Sequence, residues 1–218
     1  FASEEDLSGM IFSMIAPMLV MMMLFTGCMS VGPESIAGEK ERGTFATMLV
    51  TPVKRSHIAL GKIFALSTLS LLSGICSSLG LILSLPKLLG TAEGIDLTIP
   101  TYQFGDYIML FGIILSTVLM MVGLVSVVST FAKSVKEATG MVGPLNILIV
   151  LLGIVTTFST GADAWYWYLI PLLNSARALG GILSFAVEPL YVGITVIVNL
   201  LCVAGLTVAL AKMFDSEK

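Results

Sequence analysis

The chain has 218 residues, 56% of them hydrophobic and only 11% charged, with a mean hydropathy of +1.01. Average soluble domains carry about 25% charge, so this composition excludes a water-covered fold and points to a polytopic helical membrane protein. The net charge of -3 includes no basic patch of the kind that serves nucleic acid.

Five apolar runs, at 10–31, 63–85, 107–132, 141–160 and 189–211, contain no Asp, Glu, Lys, Arg or His. Each is about 20 to 26 residues, roughly 30 Å or more of helix. Lipid tolerates only backbone whose hydrogen bonds are internally satisfied, and runs this long mean helices. The expected fold class is an all-α integral membrane protein with five transmembrane helices, forming a single transmembrane domain over 1–218.

The chain starts at Phe1, and Glu4, Glu5 and Asp6 precede the first run. That is the opposite of the basic start of a signal peptide. An odd number of spans suggests that one upstream span is missing, so the chain reads as a fragment. The first run holds seven of the thirteen Met residues; Met10, Met14, Met18, Met22 and Met29 recur on one helical face. A thioether stripe of this kind can line a path for apolar cargo or serve as packing and lipid contact, the commoner use.

The longest polar interruption carrying positive charge comes next, at 34–62. Residues 34–42 are expected to continue the first span as helix. Gly43 breaks it, and Thr44 can cap a new short helix. There Phe45, Met48 and Leu49 fall at i, i+3 and i+4 on one apolar face. Thr51-Pro52 ends that helix, and Ser56 is expected to cap the next. An apolar face on a short, charged elbow fits a groove on a partner protein or rests among lipid headgroups. Putting this elbow inside places nine of the eleven Lys and Arg inside and leaves Lys87 and Arg177 outside. The N-terminus is then external and the C-terminus cytoplasmic.

In the second run Ser67, Ser70, Gly74, Ser77 and Ser84 share a face. Small residues allow close helix approach in lipid, and packing is the expected role ahead of a polar path. The external segment at 86–106 is too short for a folded domain, and the turn at 132–140 is assigned no chemistry. Residues 161–188 open with an aromatic WYWYLIP cluster suited to a membrane interface. They are too apolar for a free loop and too short for two spans. A re-entrant or interfacial hairpin broken near Pro171 and Gly180-Gly181 is expected, with Arg177 near the outer surface. Cys28, Cys76 and Cys202 have neither disulfide nor metal spacing and read as packing residues.

No GxxxxGK[ST] loop occurs, so the chain is not expected to hydrolyse ATP. The one histidine, His57, has no second histidine for a metalloprotease motif, and no GxSxG appears. Spans without ionisable residues argue against a proton-driven carrier. The chemistry points to a permease powered from outside itself, a channel-like subunit or a membrane scaffold.

The stretch GEKERGTFATMLVTPVKRSHIALGK resembles the elbow of the ABC type-2 transporter permeases, especially the bacterial sodium-efflux and multidrug-export branch. The later phrase IPLLNSARALGGILSF resembles the external re-entrant segment before the last span of the same family. The resemblance implies six spans per subunit, of which this chain matches the second to sixth. It implies a permease subunit of an ATP-driven exporter in the bacterial plasma membrane, working as a dimer with a separate nucleotide-binding subunit that holds ATP and Mg. It implies that Phe45, Met48 and Leu49 lie on a coupling helix docking on that subunit. It also implies that Glu39, Glu41 and Arg42 belong to the charged cytoplasmic end of the preceding span. Ala46 departs from the family, where many relatives carry an acidic residue. The alternative is a non-transporting scaffold or sensor that recruits a cytoplasmic partner through the elbow.

Overall fold

The computed structural model describes residues 4–44, 52–88, 104–158, 165–183 and 188–216. Among them are six α-helices: α1 (Glu4–Glu41), α2 (Arg55–Leu88), α3 (Phe104–Thr130), α4 (Val135–Phe158), α5 (Leu173–Leu183) and α6 (Pro189–Ser216). A short 3-10 helix, Trp165–Leu169, precedes α5. Five of the helices, α1 to α4 and α6, are long and apolar enough to cross a membrane. The faces they turn outward are as apolar as the core: Phe64, Leu72, Ile147 and Leu201 are each at least 60% exposed. Apolar surface on this scale belongs in lipid.

α1 and α2 outrun their apolar runs at both ends because polar turns continue the hydrogen-bond ladder, whereas α3 and α4 begin early and stop at Thr130 and Phe158, inside theirs. α4 starts six residues before the predicted run at 141. Ser134 caps its start: the Glu137 N–H donates to Ser134 Oγ at 3.3 Å, and Glu137 Oε2 accepts from the N–H of Lys133, one residue before the cap, at 2.9 Å. The expected turn at 132–140 is therefore only the stretch between α3 and α4. The start of α2 also differs. The Lys54 carbonyl accepts from the N–H groups of His57 and Ile58, so Lys54 stands at the N-cap and Ser56 sits within the first turn.

α1 packs against α2, α3, α4 and α5, and α3 against all five other helices. α3 is the centre of the bundle, with 56% of its span buried against 22% for α4. The seam between α1 and α2 is made by small residues. A Cβ on Gly27 would meet the Ser70 carbonyl at 3.1 Å and Ser73 Cβ at 3.3 Å, while Leu24 fills the space over Gly74. This is the packing role expected for Ser70 and Gly74. Ser67 and Ser70 are buried; Ser77 and Ser84 continue along α2. Of the methionine stripe, Met18 seats over Gly153 of α4, and Met29 packs against the core, so these two serve packing.

The chain turns sharply before α5. Leu172 has a positive φ of 70°, and the Asn174 N–H donates to the Ile170 carbonyl at 2.9 Å. The break expected at Pro171 is present. The one expected at Gly180-Gly181 is not: α5 runs through both glycines to Leu183, where Pro17 packs against Gly180.

Gly27→Val is expected to force α1 off α2 and cost about 1–3 kcal/mol, read as a lower thermal-unfolding midpoint in detergent. Gly61→Ala, where an added Cβ meets nothing within 4 Å, should be neutral or slightly stabilising. Equal losses in the two variants would contradict the seam.

Candidate functional site

The elbow end of α1 is a junction of four helices. Consecutive residues of a helix point about 100° apart, so three in a row can face three neighbours. Glu39 Oε2 accepts from Lys62 Nζ of α2 at 2.6 Å, and the same ammonium donates to the Ser35 carbonyl at 2.9 Å. Lys40 Nζ donates to the carbonyl of Thr130, the last residue of α3. Glu41 Oε2 accepts from the N–H of Val135, the first residue of α4, at 3.0 Å. Helix ends leave carbonyls and N–H groups without partners inside the helix. A cation therefore meets the negative end of α3, and an anion meets the positive end of α4.

Arg42 instead turns back along its own helix to pair with Glu34. This pair is solvent-open, with side chains 67% and 50% exposed, whereas Lys62 and Glu39 are 8% and 27% exposed. Below the junction, Ala37, Ala132 and Ala138 form a small buried cluster, and a Cβ on Gly38 would meet Val135 Cγ2 at 3.2 Å. Gly43 has φ +73°, the left-handed conformation that closes many helix C-termini. Thr44 Oγ1 donates to the Glu39 carbonyl at 3.2 Å, so its hydroxyl finishes α1 whether or not it also caps the next segment. Phe45, Met48 and Leu49 lie outside the described residues.

The predicted set is thus brought together only in part. Glu39 and Glu41 share one junction, Arg42 stands beside it, and the residues that complete the junction, Lys40, Lys62, Thr130 and Val135, were not singled out from the sequence. Lys62 carries a signal in retrospect: it falls one residue before an uncharged run, where a lysine needs a partner.

A second polar centre lies midway along the bundle. Asn199 of α6 donates from Nδ2 to Ser175 Oγ of α5 at 3.0 Å and to Ser116 Oγ of α3 at 3.3 Å. Asn174 Nδ2 donates to Asn199 Oδ1 at 3.1 Å, and Thr117 Oγ1 donates to Ser175 Oγ at 2.8 Å. All five residues are buried. The network fixes the N-terminus of α5 at the middle of α3 and α6. Sequence reasoning passed over it because each member is a neutral residue in an apolar run. Among the described residues no group of His, Cys, Asp or Glu could hold a metal ion. Cys28, Cys76 and Cys202 are all free thiols.

Lys62→Met is expected to leave the half-buried Glu39 carboxylate unmatched and cost about 1–3 kcal/mol. Arg42→Gln should change stability by under about 1 kcal/mol, because its pair is exposed. The thermal-unfolding midpoint in detergent checks both. Asn199→Leu should cost roughly 1–2 kcal/mol, the scale of interhelical hydrogen bonds in membranes. Limited proteolysis of that variant should cut near α5 sooner than in the parent.

Two comparisons bear on this architecture. Residues 2–214 match a family model described as ABC-2 family transporter protein. The chain is also 28% identical over 193 residues to the ABC transporter permease protein NatB of Bacillus subtilis (strain 168), covering 85% of this chain and 48% of that protein. The chain thus spans about half the length of the curated relative it matches. With five membrane-length helices and a family match over nearly its whole length, this chain is a multi-pass membrane protein that belongs to the ABC-2 transporter family.

Proposed function

We propose that the chain is the membrane-spanning part of an ATP-driven exporter, worked by a separate nucleotide-binding subunit that carries ATP and Mg. The observation that supports this best is the junction at the end of α1. A motor docking on the elbow at 34–62 would push on a helix tip tied to α2, α3 and α4. In this reading Phe45, Met48 and Leu49 give the motor its apolar hold. Glu39, Glu41 and Arg42 belong to the charged cytoplasmic end of α1, which receives the push.

The orientation comes from charge. With the elbow cytoplasmic, Lys133 between α3 and α4, Lys136 in the first turn of α4, and the C-terminal Lys212 and Lys218 lie on the same side. The N-terminus of this chain is then external, in the plasma membrane of a bacterial-type cell. The stretch from the 3-10 helix through α5 enters from the outer side and returns. The depth of Asn174 and Ser175, level with the midpoints of α3 and α6, supports this. Such short helices are tolerated at membrane depth when buried in protein. A second permease subunit completes the assembly. Closing of the motors would displace the elbows, rock the spans and open an outward path. The scaffold reading, in which the elbow recruits a partner without transport, shares the same docking surface and differs only in outcome.

Co-purification of the tagged full-length protein from its native membranes is the test. A stoichiometric soluble subunit with a phosphate-binding loop is expected. It should be lost, with normal membrane insertion, in Phe45→Asp and in Leu49→Asp. A preparation without any ATPase, under conditions that hold a known transporter complex together, would favour the scaffold. Unchanged ATPase stimulation and transport in both variants would remove the docking role of this face.

A further inference from the structure

We infer that Glu39, Lys40 and Glu41 are positioning residues for energy coupling, a three-way clamp that carries displacement of the elbow into α2, α3 and α4 together; this rests on the exporter reading above. The clamp works inward, on the spans, and not on the motor. All three residues have structural partners within the chain. Glu39 holds the Lys62 ammonium of α2 at 2.6 Å. Lys40 holds the final carbonyl of α3, and Glu41 the first N–H of α4 at 3.0 Å.

The order of charges is what the geometry requires. The two ends of the short link between α3 and α4 carry opposite partial charges, negative where α3 stops and positive where α4 starts. Adjacent residues of opposite sign grip them, so neither helix can shift without the other. Glu39, one position earlier, faces a different neighbour, and its sign matches Lys62. The junction has no room for slip, since Gly38 lies under Val135 and the Ala37, Ala132 and Ala138 cluster is buried. Beyond it the backbone turns away from α1 at Gly43. Force applied past Gly43 therefore reaches three spans through residues 39 to 41. The clamp stays closed throughout the cycle.

The experiment uses the full-length protein with its ATPase partner in proteoliposomes and reads transport per ATP hydrolysed. Glu41→Ala is expected to keep the partner bound and hydrolysing while transport per ATP falls about tenfold, the scale set by losing one charge-assisted hydrogen bond. Glu39→Lys should fail in the same way and recover when combined with Lys62→Glu, a rescue that loss of packing alone would not give. Glu41→Cys with Val135→Cys, in a Cys28→Ala, Cys76→Ala, Cys202→Ala background, allows a short cleavable thiol crosslink that replaces the lost cap. Retained transport in the crosslinked protein is expected even if Glu41→Ala assembles poorly. Transport stopped by the crosslink and restored on cleavage would overturn the inference, because the contact would then have to open in each cycle. Transport per ATP unchanged in Glu41→Ala would overturn it as well. A wild-type protein that binds no ATPase would defeat the exporter reading and this inference with it. A coupled wild type with an indifferent Glu41 would defeat this inference alone.

Discussion

Where one membrane helix stops and the next begins, a protein must satisfy backbone groups that the helices cannot satisfy themselves. Here that task falls to a third helix. The tip of α1 supplies a lysine to the end of α3 and a glutamate to the start of α4. Its preceding glutamate reaches across to α2. This one charged turn ties together helices that are far apart in sequence. The five long apolar runs can then be built from side chains with no charge.

Deeper in the bundle the same problem has a different solution. Lipid offers little hydrophobic drive for helices to associate, so packing and interhelical hydrogen bonds decide which faces meet. Small residues let α1 and α2 approach closely around Gly27, Ser70 and Gly74. The Asn199 network joins α3, α5 and α6 with amides and hydroxyls alone. Neutral groups can be buried at modest cost when they satisfy one another, whereas a lone ion could not. The five spans therefore place charge at their ends and neutral polarity in their middle. Apolar side chains face outward.

The two centres have different mechanical consequences. The network around Asn199 sets where a short helix sits among longer ones and gives α5 one register. The junction at Glu39–Glu41 sets how the long helices move relative to each other at the elbow. Between them run the tightly packed faces of α1 and α3, with Phe25, Met120, Met121 and Val122 almost fully buried. Close-packed interiors shift between discrete arrangements more readily than they deform. Displacement at one end can thus be felt at the other without a charged path through the membrane.

By itself the sequence determined the class and the number of membrane-length helices, because apolar runs of membrane length admit only helices. It also marked the elbow, since charge between two such runs must leave the lipid. The family motif containing Glu39 and Glu41 was legible there as a pattern. What each residue of the pattern touches was not. Glu41 and Val135 are 94 positions apart, and no local periodicity joins them. The same holds for Asn174, Ser175 and Asn199, ordinary polar residues until three helices bring them within hydrogen-bond distance. The unbroken course of α5 through Gly180 and Gly181 was likewise decided by packing, since Pro17 covers the first of them. Periodicity and composition report what one segment needs from its solvent. Which segment meets that need is a choice among many equivalent partners, and only the tertiary structure made it.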